Sequence, residues 1–119
     1  VRATIEAVAY QTYDLFEAMK HDGLRPKIVK VDGGMVMNNW FSQFLSDIVD
    51  VKVLRPKVQE TTALGAAFMA GLYIGVYKSL KDISQNWHLD KKFLPKMKVS
   101  LKNKLLKGWS IAIKKTLIN

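Results

Sequence analysis

Apolar and polar positions alternate along this chain at spacings that change every twenty to thirty residues. Ile5, Val8, Leu15, Phe16 and Met19 follow a helical repeat and predict a helix over 2–20. Arg2 stands one turn before Glu6 and can pair with it. His21-Asp22-Gly23 and Pro26 end that helix. The β-branched segment 27–32 reads as a strand, closed by Gly33-Gly34. A second helix is predicted over 38–49, with Trp40, Phe41, Phe44, Leu45 and Ile48 as its inward face. A second strand over 51–54 is closed by Arg55-Pro56. Strand, helix and strand in that order imply a parallel pair with a right-handed crossover. Thr61 or Thr62 is expected to cap a third helix through 77, and a short helix follows Ser79 to about Asn86. Segment 87–95 reads as a joint. Beyond it, Leu101, Leu105, Trp109, Ile113 and Leu117 recur every four positions, flanked by Leu106 and Ala112. They form one apolar stripe of a final helix, and Gly108 marks a place where a backbone can approach it closely.

The pattern gives an α/β class that is rich in helix and carries a short parallel strand pair. Its organisation is a core over 1–86 and a basic helical region over 87–119. Parallel sheets normally contain more strands and are covered on both faces. At least one further strand is therefore expected upstream of Val1, and a chain that opens mid-helix reads as a piece of a larger protein.

Composition and charge narrow this picture further. With 119 residues and 49% hydrophobic side chains, the chain is too apolar to be disordered. The absence of cysteine excludes a disulfide scaffold and a thiolate zinc site. The longest apolar run, 63–77, is too short for an ordinary membrane span. The net charge of +9 is not spread evenly. Residues 1–90 balance, and the whole excess lies in nine lysines after residue 90, where there is no acid. Such a tail can attract nucleic acid or an anionic membrane surface. It contains no arginine, the residue that base edges and bidentate phosphate contacts favour, and its lysines flank an apolar stripe. A solvated helix face is the favoured reading.

Two segments carry candidate chemistry. In Lys30-Val31-Asp32-Gly33-Gly34-Met35-Val36-Met37-Asn38-Asn39 a strand runs through a double glycine into a helix. Glycine lets a ligand approach the backbone, and the helix N-terminus offers amides and a positive dipole end to a phosphate. Asn38 and Asn39 can cap the helix or bind a base or ribose. A tight turn with an Asn cap explains the local sequence equally well. The segment is neither a phosphate-binding loop ending in Gly-Lys-Ser/Thr nor a dinucleotide fingerprint, whose third glycine is missing. In the second segment, Ala63, Ala67 and Gly71 recur every four residues. They predict a helix face that packs closely against another backbone.

Together these segments closely resemble the C-terminal part of the glycerol kinases, a carbohydrate kinase family of the actin-like ATPase superfamily. The resemblance rests on Val31-Asp32-Gly33-Gly34 with Asn38-Asn39, on Gln43-Phe44 and Ser46-Asp47-Ile48, on Arg55-Pro56, and on Glu60 to Ala67 with Ala70-Gly71-Leu72. Arg2 to Glu6, Ala9 to Thr12, Asp14 and Glu17 to Met19 fit the helix before this motif, and Lys107-Gly108-Trp109 with Ala112 fits the closing helix. The resemblance implies an actin-like, ribonuclease-H-like domain of which this chain is the last portion. It implies transfer of the ATP γ-phosphoryl group to the 3-hydroxyl of glycerol with magnesium, in a cytoplasmic homo-oligomer. It places nucleotide contacts on Gly34 and Asn38.

The phosphate loop, the glycerol-binding residues and the catalytic Asp of that family have no counterpart here, and Asp32 belongs to the turn. No catalytic residue and no metal ligand is therefore expected in this chain, and His21 and His88 stand too far apart to suggest one. Three departures from the family pattern stand out. Asp50 occupies a helix C-terminal position that usually holds Gly, Met35 and Met37 replace smaller turn residues, and the tail is unusually basic. The competing readings are a non-catalytic basic module that binds nucleic acid or membrane through its tail, and a decayed remnant.

Overall fold

The computed structural model describes residues 1–58 and 60–117. The tail region is thus followed to residue 117, and its last two positions lie outside the described residues. Among the described residues, five helices, three strands and one 3-10 turn follow in order. Helix α1 spans Arg2–His21, and Arg2 Nε meets Glu6 Oε1 at 2.6 Å as the spacing predicts. Strand β1 (Ile28–Lys30) leads through Gly33 to a 3-10 turn over Gly34–Met37, and helix α2 (Asn39–Val49) begins behind it. Strand β2 covers Lys52–Pro56 and runs parallel to β1, with Val29 opposite Val53. The parallel pair is as expected, though β2 continues through Arg55-Pro56 instead of stopping before it.

The sheet has a third strand. Segment 87–95, expected as a joint, contains β3 (Leu89–Phe93), which pairs antiparallel with β2 in the order β1-β2-β3. Its sequence, Leu-Asp-Lys-Lys-Phe, has an exposed edge and buries only Phe93, so it lacks the apolar alternation by which a strand is recognised. Lysines on an exposed edge strand discourage pairing with another chain.

Helix α2 is the centre of the core. Phe41, Phe44, Leu45, Ile48 and Val49 pack with Tyr10 and Phe16 of α1, Val53 of β2 and Phe93 of β3. Trp40, expected inside, is 43% exposed and stacks on Phe44 from outside, at 5.0 Å between ring centroids. Leu15 of α1 is likewise exposed. Ser46 is fully buried and donates to the carbonyls of Val51, just before β2, and Phe93, at the end of β3, which ties both to α2.

Helix α5 (Val99–Leu117) lays its stripe across α1 and α2, but only as half-buried contacts through Leu105, Leu106 and Trp109. Leu101 and Leu117 remain exposed. Trp109 stacks on Tyr10 at 5.4 Å and donates from Nε1 to Asp14 Oδ2. Burial, the Glu6 charge and the hydrogen bond to Glu6 push the Tyr10 hydroxyl up to about 12. A Cβ built on Gly108 meets nothing within 4 Å, so no close approach occurs there.

Helix α3 (Thr61–Tyr73) ends four residues earlier than expected, because the chain turns through Gly75 at φ 81°. Its N-cap is Glu60 without a side-chain hydrogen bond, rather than Thr61 or Thr62. The predicted contact face is not covered by this chain: Ala63 and Ala67 are exposed, and Gly71 is buried by the Tyr77 ring that folds back onto it. Helix α4 (Leu80–Ser84) is capped by Ser79, which accepts from the Asp82 amide.

Candidate functional site

The double-glycine turn sits at the C-terminal end of β1, the end of a parallel strand at which open α/β sheets bind ligands. Gly33 adopts φ 86° and ψ 170°, a conformation that essentially only glycine enters. Gly34 is exposed and does not have a positive φ, and a Cβ built on it meets nothing within 4 Å. Within the chain, therefore, the backbone requires glycine at 33 but not at 34.

Asn38 does what the capping reading predicts. Its Oδ1 accepts from the amides of Trp40 at 2.9 Å and Phe41 at 3.3 Å. The 3-10 turn separates α2 from the glycines, so α2 does not begin directly at the double glycine and its first amides are engaged by Asn38. The amides nearest Gly34 are instead those that open the 3-10 turn, which have no partner within a 3-10 helix. Asn38 is exposed, and its Nδ2 amide group keeps its capacity to donate while Oδ1 caps the helix. Met35 and Met37 are about half exposed on the same turn.

The turn is held from below. Val36, its buried residue, offers a carbonyl that accepts from Ser42 Oγ at 2.8 Å and from Arg55 Nη1 at 2.8 Å. Arg55 Nη1 also reaches the Met37 carbonyl at 3.2 Å. The other edge of the guanidinium meets Asp90 Oδ2 on β3, at 2.7 Å from both Nε and Nη2. A second tie comes from α3, where the Thr61 hydroxyl donates to Asp32 Oδ2. Next to it, Lys30, Pro56, Thr61, Leu64, Phe68 and Trp87 line much of a cavity of about 240 Å³. Lys30 lies over the Trp87 ring at 4.2 Å.

Arg55, Ser42 and Asp90 do not stand out as site residues in the sequence, although one signal for Arg55 exists. Val51, Val53 and Arg55 alternate, so Arg55 points to the buried face with the two valines and needs partners there. Among the described residues, no group of three His, Cys, Asp or Glu side chains sits close enough to hold a metal ion.

Comparison with known proteins places this turn in context. Residues 1–73 match the FGGY family of carbohydrate kinases, C-terminal domain. The chain belongs to that family. It is 50% identical over 115 residues to glycerol kinase 1 of Pseudomonas aeruginosa, covering 97% of this chain and 23% of that protein. It is 49% identical over 117 residues to the glycerol kinase of Gluconobacter oxydans, again covering 23% of the relative. The crystal structure of Plasmodium falciparum glycerol kinase with ADP superposes at a TM-score of 0.81 and 35% identity, over 99% of this chain and 24% of that one. The chain thus spans about a quarter of the length of these relatives. Its fold is that of the helix-rich C-terminal portion of an actin-like ATPase domain, as the resemblance implies.

Proposed function

We propose that this FGGY chain supplies one wall of the nucleotide cleft of an ATP-dependent glycerol kinase. The observation that carries the reading is 50% identity to a glycerol kinase along nearly the whole chain, with the Gly33-Gly34 turn presented at a strand end. Gly34 adds support. Its backbone is bare and exposed, with no atom of the chain within 4 Å of where a Cβ would stand, so a phosphate has room to approach it closely.

In this reading ATP supplies the γ-phosphoryl group that glycerol receives. The backbone at Gly34 lies against a phosphate, which the absent side chain leaves room to approach. Asn38 donates from Nδ2 to the nucleotide while its Oδ1 continues to cap α2. Phosphoryl transfer also needs a base, a substrate pocket and a metal site. The described residues form no carboxylate cluster suited to magnesium, and no step is assigned to that ion through this chain. Glycerol binding, the base and the subunit contacts of a cytoplasmic homo-oligomer belong to the full-length protein. The basic tail favours neither nucleic acid nor membrane in this reading. Its stripe rests on α1 and α2, and Lys102 pairs with Asp50 at 2.8 Å.

Purified full-length protein should convert ATP and glycerol to ADP and glycerol 3-phosphate, whereas residues 1–119 alone should give no turnover above background. A coupled ADP assay reads both. Turnover by residues 1–119, or none by the full-length protein with ATP and glycerol, would overturn the reading.

A further inference from the structure

We infer that Arg55, braced by Asp90, is a positioning residue for the nucleotide: it fixes the Gly34–Met37 turn through the Val36 and Met37 carbonyls. The inference rests on the nucleotide reading of the turn given above.

Four observations carry it. Arg55 is only 6% exposed, although an arginine is seldom buried without partners. It finds them on two sides. One edge of the guanidinium takes the Val36 and Met37 carbonyls at 2.8 and 3.2 Å, and the other takes Asp90 Oδ2 at 2.7 Å. The planar fork is rigid, so Asp90 sets the plane in which the two carbonyls are held. The Phe93 ring lies 5.6 Å from the guanidinium carbon and walls the same site. Finally, Ser42 Oγ donates to the Val36 carbonyl as well, so both lone pairs of that oxygen are used.

The turn has few other anchors. Gly34, Met35 and Met37 are exposed, and Val36 alone is buried. Ligand-facing backbone of this kind loses affinity when it must be ordered on binding, and a preorganised turn avoids that loss. Strand β3 then has a definite role. It carries Asp90 to the register position beside Arg55, next to the irregular pairing between Arg55 and Pro56. Arg55 contacts no nucleotide in this scheme and acts through the turn.

The test compares Arg55→Lys, Asp90→Asn and Gly34→Ala in the full-length protein. Calorimetry measures ADP binding, steady-state kinetics measure the ATP and glycerol Michaelis constants, and hydrogen exchange follows the amides of 35–38. Arg55→Lys keeps the charge but cannot span both carbonyls and Asp90. It should speed exchange over 35–38 and weaken ADP about tenfold, with the glycerol constant unchanged. Asp90→Asn leaves the arginine in place and should give the same pattern at about threefold, which keeps the test open if Arg55→Lys folds poorly. A merely structural role would raise both Michaelis constants together or lower melting without the split. Unchanged exchange over 35–38, or unchanged ADP affinity in both variants while Gly34→Ala weakens ADP, overturns the positioning role and spares the nucleotide reading. Unchanged ADP affinity in Gly34→Ala removes the nucleotide reading, and with it the role assigned to Arg55.

Discussion

Asp50 combines at one position a backbone conformation that favours glycine and an ion pair with a distant lysine. It ends α2 at φ 57° and ψ 38°, the left-handed conformation that glycine enters freely and other L-residues enter at a cost. That geometry is legible in the sequence, since the position follows a predicted helix and precedes a strand. The ion pair is not legible: Lys102, 52 residues later, places its ammonium 2.8 Å from Asp50 Oδ2. The carboxylate side of this pair is largely exposed, so the pair contributes little. Replacing Asp50 by Gly should therefore stabilise the protein, by about 1 kcal/mol in a Lys102→Met background and by less where Lys102 is present. Denaturant unfolding of the four members of that cycle checks this. Destabilisation by Asp50→Gly only where Lys102 is present would show that the pair outweighs the strain, and destabilisation in the Lys102→Met background as well would show that the left-handed position costs Asp50 nothing.

At the scale of elements, helices α1 and α2 and the parallel pair were readable because their apolar periodicity is strong. The strand β3 and the end of α3 were not readable, for different reasons. Strand β3 is a polar edge whose place is set by Arg55–Asp90 and by Ser46, contacts that span 35 and 47 positions in sequence. Helix α3 stops at a glycine with positive φ inside a run that is apolar throughout, so its hydrophobic pattern has no edge to read. The link between β3 and α5 is held by another polar anchor. Asp47 is buried, and its Oδ1 accepts from the amides of Lys96 at 2.7 Å and Met97 at 3.2 Å and from Gln43 Nε2. Gln43 Nε2 in turn donates to the Leu94 carbonyl. Asp47→Ala leaves those amides without a charged acceptor and should cost about 2–3 kcal/mol, felt first in 94–98 and at the start of α5. Faster hydrogen exchange in that segment, with α1 little affected, is the expected outcome, and uniform exchange across the chain would contradict it.

For the whole molecule, the candidate site was legible in part. The Gly33-Gly34 turn and Asn38 could be picked out because small residues and a cap at a strand-to-helix junction have few explanations. The capping role of Asn38 is visible in its hydrogen bonds, and nothing in the local sequence distinguishes it from a ligand role. The hidden part is the support under the turn, which is built from β2, β3 and α2 and appears only once the sheet is assembled. The same scale explains why the small-residue face of α3 is open. Ala63, Ala67, Met69 and Tyr73 are exposed in a helix that is apolar on all sides, a composition suited to burial in a larger body. The chain spans about a quarter of the length of its relatives, so in the proposed reading the nucleotide cleft is completed by surfaces that these residues do not supply.

The most direct test of the nucleotide wall is the affinity of the full-length protein for ATP and for glycerol when Gly34 gains one methyl group. A Cβ at this position meets no atom of the chain, so Gly34→Ala should leave melting nearly unchanged. It should raise the ATP dissociation constant about tenfold or more, while glycerol binding stays within about twofold of its original value. An unchanged ATP constant combined with a collapse of glycerol binding would contradict the account and assign the turn to the other substrate.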